Sequence, residues 1–125
     1  MSLEKIKHFP VMLDQILSII TPQHGGTFID CTFGSGGYSE AILGYSDTKI
    51  IALDRDRSVQ YFSTRLKEKY GERFKFYNKK FGNLGSFIKK NVNTKAIIFE
   101  LGFSSMQVKN LDRGLLTILS ATTHI

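Results

Sequence analysis

Four short apolar runs, separated by stretches of helical periodicity, constrain this chain more than any other feature. TFIDCTF (27–33), KIIALD (49–54), FKFYNKKF (74–81) and KAIIFEL (95–101) read as strands. YSEAILGY (38–45) reads as a short helix and GNLGSFIKKNV (82–92) as a weaker one. Between them RSVQYFSTRLKEKY (57–70) sets Val59, Phe62, Leu66 and Tyr70 on one helical stripe. Upstream, PVMLDQILSII (10–20) carries a proline near its start and apolar residues at Leu13, Ile16, Leu17 and Ile20, again at helical spacing. KIIALD is almost wholly apolar, which fits a strand buried on both faces. Strands alternating with helices imply right-handed crossovers and a parallel sheet with helices on both faces, an α/β fold. After Gly102 the pattern weakens. A helix over 115–119 is expected there, with no convincing partner strand.

Three glycines in four residues follow the first strand, in FIDCTFGSGGYSEAIL (28–43), although a tight turn needs only one. In a parallel sheet, ligands sit beyond the carboxyl ends of the strands, where the strand order reverses. Gly34, Gly36 and Gly37 fall at that place, where glycine permits positive φ and close approach of backbone to a ligand, and where the next helix presents its first amides. Asp54 ends the second strand about twenty residues on, where a carboxylate can accept both hydroxyls of a ribose. Together they describe a site for an adenosine-type cofactor. A tight strand-to-helix turn followed by a helix-capping aspartate would leave the same trace.

Composition narrows the partners. The 125 residues, 42% hydrophobic, suffice for one domain, and the start MSLEKIKHF has no apolar leader, so a soluble, cytoplasmic protein is expected. The one cysteine, Cys31, leaves no internal disulfide and reads as a small buried strand residue. His8, His24 and His124 show no ligand spacing, so no metal is assigned. Charge is divided unevenly: residues 1–50 hold three Lys/Arg against five Asp/Glu, and residues 51–125 hold fourteen against six. Much of the excess lies in RLKEKYGERFKFYNKKF (65–81), where aromatics alternate with cations as on a phosphate-attracting surface. A solvated helix face followed by an amphipathic strand has the same composition.

A dinucleotide fingerprint would place a third glycine where this chain has Ser39. The run D-x-x-x-G-x-G, from Asp30 to Gly36, instead resembles motif I of class I S-adenosylmethionine-dependent methyltransferases. HFPVMLDQIL (8–17), DCTFGSGGYSEAIL (30–43), ALDRD (52–56), FGNL (81–84), ELGFSSMQV (100–108) and RG (113–114) follow the order and spacing of the MraW family. That family is also called ribosomal RNA small subunit methyltransferase H. The resemblance spans 8–114 and implies a Rossmann-like fold, S-adenosyl-L-methionine as cofactor, and methylation of the exocyclic N4 of a cytidine in small-subunit ribosomal RNA. It further implies that Gly36, Gly37 and Tyr38 line the methionine side of the cofactor, that Asp54 holds the ribose and that Phe81 packs near the adenine. By the same resemblance, Glu100 and Gln107 sit near the adenine or the reacting centre. Glu100 is the candidate acceptor of the proton that the amine loses, with a purely cofactor-binding role as its alternative.

The chain also departs from the family pattern. Tyr38 stands where the family usually has His, Gln15 where it has Glu, and Glu100 where it has Asp. Beyond Arg113–Gly114 the family reads Phe-Ser-Phe, whereas this chain reads LLTILSATTHI (115–125). The pattern is that of a partial S-adenosylmethionine-binding domain, core 8–114, with a divergent tail over 115–125. Two further readings follow: an inactive remnant that binds cofactor or RNA weakly, and a nicotinamide-dependent oxidoreductase, which the missing third glycine disfavours. A domain of this extent would leave AIIFEL as an apolar edge strand. Self-association through that edge is expected, with LLTIL either covering it or joining the contact.

Overall fold

A computed structural model of the protein describes residues 13–31, 33, 36–79, 94–101, 107–110 and 116–121, the last three segments from Glu100 onward as backbone. Its elements are α1 (Leu13–Ile20), β1 (Gly26–Asp30), α2 (Gly37–Leu43), β2 (Thr48–Leu53), α3 (Gln60–Tyr70), β3 (Phe74–Tyr77), β4 (Thr94–Leu101), β5 (Gln107–Asn110) and β6 (Leu116–Ala121). The six strands form one sheet in the order β3-β2-β1-β4-β6-β5. All neighbours run parallel except β5, which is antiparallel to β6. The expected strands and the first three helices are present, with Arg57–Val59 forming a 3₁₀ turn ahead of α3. The weaker helix expected over 82–92 lies outside the described residues.

Every described helix packs on one face of the sheet. Ile16 and Ile20 of α1, Tyr38, Ile42 and Leu43 of α2 and Leu66 of α3 share a core with Phe28, Ile50, Ala52, Phe74, Ala96 and Ile98. The alternate residues Ile29, Cys31, Ile51, Leu53 and Ile97 form a second buried cluster on the opposite face, with Phe99 against it. Burial on both faces is what an unbroken apolar strand such as TKIIAL requires, because successive side chains point opposite ways.

Residues 116–121 correct the expectation of a helix over 115–119. They form a strand parallel to β4, with Ala96 opposite Leu116 and Leu101 opposite Ala121. Four leucine and isoleucine side chains in LLTIL suit either state, and the decision falls to tertiary pairing: β4 offers an open ladder, which a β-branched segment fills. Consequently β4 is not an edge. It lies between β1 and β6, so the tail covers that edge, the first of the two arrangements expected of LLTIL. Among the described residues, the edges of the sheet are β3 and β5.

Candidate cofactor site at the β1–β2 end

The strand order reverses at β1, which pairs with β2 on one side and β4 on the other. The chain leaving β1 holds both neighbours. The N–H of Cys31 donates to the carbonyl of Ile98 at 2.9 Å, and that of Phe33 to the carbonyl of Leu53 at 3.2 Å. Leu53 immediately precedes Asp54, so the glycine turn and the acid stand side by side at the carboxyl ends of adjacent strands. The turn closes when Gly36 N–H donates to the Phe33 carbonyl at 2.9 Å, and α2 begins with Glu40 N–H on the Gly36 carbonyl at 2.8 Å.

Gly36 has φ +84°, as expected, whereas Gly37 opens α2 without a positive φ. A Cβ at Gly36 would lie 2.9 Å from Cζ of Phe33 and 3.3 Å from Cδ1 of Leu66. This glycine is therefore required by packing as well as by turn geometry, since the Phe33 ring fills the direction a side chain would take. Phe33 in turn stacks at 5.6 Å from Phe74 and 5.4 Å from Phe76, tying the turn to β3. Gly34 and Phe81 lie outside the described residues.

Tyr38, expected to line the cofactor, is 2% exposed and belongs to the core. Its place one turn before Ile42 puts it on the face of α2 that meets the sheet. Asp54 is half-buried at the mouth of the site. Its Oδ1 accepts the N–H of Asp56 at 2.9 Å, its N–H donates to the carbonyl of Tyr77 at 3.2 Å, and its carbonyl accepts from Nδ2 of Asn78 at 2.9 Å. The helix-capping role falls to Asp56 instead: its carboxylate accepts from Ser58 N–H at 2.9 Å, and the Ser58 contacts hold it below the ordinary carboxylate range.

Glu100 belongs to the last turn of the ladder in β4, opposite Ser120 of β6. Gln107 opens β5 opposite Leu119. It stands three strands from β1, roughly 14 Å at the usual strand spacing. The structure thus brings Gly36, Gly37 and Asp54 together, places Glu100 one strand from the turn, and sets Gln107 at the far edge of the sheet.

Sequence reasoning passed over one pair in the site. Asp30, ending β1, is wholly buried and accepts the hydroxyl proton of Ser39 at 2.8 Å. Ser39, noted above only for not being glycine, supplies the hydrogen bond that a buried carboxylate requires. An acid closing an apolar strand was the available signal. The Cys31 thiol beside it is pushed well up by burial, with the Asp30 carboxylate adding to the effect, so this sulfur is no nucleophile.

The basic run divides once its partners are visible. Arg73 donates to the carbonyls of Leu43 (2.8 Å), Tyr45 (2.6 Å) and Thr48 (2.9 Å) and to the Thr48 hydroxyl (2.9 Å), clamping the end of α2 to the start of β2. Arg65 pairs with Glu40 at 3.1 Å. Lys75 and Lys79 remain exposed beside Tyr77 on β3 and just after it.

Residues 5–117 match the model of the MraW methylase family. The chain belongs to that family. Ribosomal RNA small subunit methyltransferase H of a Wolbachia species from Drosophila simulans is 44% identical over 109 residues, covering 86% of this chain and 37% of the relative. Its counterpart from Rickettsia felis is 45% identical over 108 residues, covering 86% and 35%. The chain thus spans little more than a third of the length of these MraW relatives. In fold it is similar to a putative rRNA-methylase from Clostridium thermocellum, with a TM-score of 0.59 and 19% identity over 74% of this chain and 52% of that one. The family assignment and this likeness make the fold a Rossmann-like one of the class I methyltransferase type.

Proposed function

We propose that this chain binds S-adenosyl-L-methionine across the carboxyl ends of β1, β2 and β4 and forms the cofactor-binding part of a small-subunit ribosomal RNA methyltransferase. Its target is the exocyclic N4 of a cytidine. The observation that carries the reading is the hydrogen bond from Phe33 to Leu53, which sets the Gly36 turn directly beside Asp54. The donor set fits the adenosine half of the cofactor: a half-buried carboxylate at the end of β2, the place from which an acid meets a ribose in such sheets. The family membership supports methyl transfer, and the names of the relatives support the RNA.

When bound, the cofactor supplies an electrophilic methyl group on a sulfonium, whose leaving group is a neutral thioether. Asp54 holds the ribose, and the backbone at Gly36 and Gly37 lies along the methionine side. Gly34, Tyr38 and Phe81 belong to this reading through the family motif. Transfer requires the amine nitrogen in line with carbon and sulfur, and the nitrogen must lose a proton. Glu100, at the carboxyl end of β4, takes that proton, and Gln107 lies on the RNA side of the same end of the sheet.

Calorimetric titration tests the first half. The protein binds S-adenosylmethionine, and Asp54→Asn, which keeps the oxygen that receives the Asp56 N–H, weakens binding about tenfold or more. Equal affinity for both proteins would overturn the site. Transfer of a labelled methyl to small-subunit RNA, followed by nucleoside analysis, tests the second half. Binding without transfer would leave a cofactor-binding chain and remove the catalytic assignment.

A further inference from the structure

Along the outer side of β3 run two cavities that the proposed cofactor site does not use. One, of about 420 Å³, lies between α3 and β3 and includes Lys67, Lys75 and Tyr77 in its wall. The other, of about 330 Å³, lies toward the carboxyl end of β3 and is bordered by Arg57 and Asn78. Phe76 borders both, so they form one groove along the edge of the sheet. Its upper end abuts the cofactor site, because Asn78 donates to the carbonyl of Asp54. Among the described residues, no strand pairs with the outer side of β3.

We infer that this groove holds a single-stranded segment of RNA flanking the methylated nucleotide. The inference rests on the RNA reading given above. Three features select a nucleic-acid strand over an added peptide strand. Cations Arg57, Lys67 and Lys75 line the groove and Lys79 stands next to it, with Glu68 the one carboxylate among the described residues of its wall. Aromatic surface lies among them: Tyr77 is 36% exposed, and the Lys79 amine sits 5.9 Å from its ring centre. Residues 57–79, which hold the groove's lining and Lys79 beside it, carry seven Lys/Arg against two Asp/Glu. Cations tracking a backbone beside rings on which bases stack form the usual platform for unpaired strands. Arg65 pairs with Glu40, and Arg73 and Lys67 donate to carbonyl groups, whereas Lys75 and Lys79 stand exposed at this edge.

The test measures binding of a fluorescent single-stranded oligoribonucleotide by anisotropy over a range of salt. Lys75→Glu combined with Lys79→Glu lowers the slope of log affinity against log salt by about 1.4, since each lost phosphate contact on a single strand accounts for about 0.7. Tyr77→Ala weakens binding about tenfold. Lys95→Glu on the distant strand β4, compared with Lys75→Glu alone so that the charge change is equal, leaves the variant closer to the parent than the groove variant is. Titration with S-adenosylmethionine confirms that each variant is folded. Unchanged RNA affinity and slope in the groove variants would overturn the groove and leave the RNA reading standing. No RNA binding by the parent chain, with cofactor still bound, would overturn that reading and the groove with it. Binding of an unstructured peptide in preference to RNA, lost on the same substitutions, would assign the edge to strand addition and also overturn the proposal.

Discussion

Gly36 shows how a residue selected by a ligand-binding pattern can be fixed by packing. Its positive φ and the 2.9 Å approach of its absent Cβ to Phe33 both exclude a side chain. Gly36→Ala is expected to destabilise the fold by about 2–4 kcal/mol in urea denaturation, from backbone strain plus displacement of a buried ring. Cys31 offers a complementary test. Its thiol resists alkylation in the folded protein and reacts once denaturant is added. The folded state keeps that thiol protonated to higher pH than the unfolded chain does, so the unfolded chain releases the proton first. Stability therefore falls as pH rises past about 8.5, where an unperturbed thiol ionises, and Cys31→Ala makes that loss shallower. Arg73 was legible only as one cation in a run. Its four hydrogen bonds to main-chain carbonyls and Thr48 make it a structural clamp. Arg73→Met should cost about 2–4 kcal/mol, and Arg73→Lys should recover less than half, because an ammonium cannot reproduce the planar fork.

At the scale of elements, the helices and the first four strands could be read from periodicity because each has an internal pattern that matches its burial. The tail had none. LLTIL is apolar in every register, so its state was set by the neighbour it met, and the partner of β6 is a strand more than fifteen residues upstream in the chain. From Leu116 to Leu119, β6 is paired on both sides, by β4 and β5, with Ile118 opposite both Ile98 and Val108. Ile118→Pro should remove a ladder hydrogen bond, destabilise the protein by about 3 kcal/mol and expose the apolar edge of β4. Light scattering should then show association that the parent chain does not show at the same concentration.

For the whole molecule, a ligand that binds the folded state alone stabilises it by mass action. S-adenosylmethionine at a hundredfold excess over its dissociation constant should add about 2.7 kcal/mol, read as a rise in melting temperature, while NAD at the same concentration adds nothing. The candidate site was legible because the glycine turn and Asp54 are local features whose positions follow from strand ends. Asp30–Ser39 and the dispersal of the basic run were not, since each depends on which groups meet across elements. By itself, the sequence determined the alternation of strand and helix, the family and the place of the glycine turn, all of which rest on periodicity and short spacing. The tertiary structure alone decided that Tyr38 is core, that the tail is a strand and that Arg73 spends its guanidinium on main-chain carbonyls. Those outcomes turn on contacts between residues far apart in the chain, whose energies no local pattern encodes.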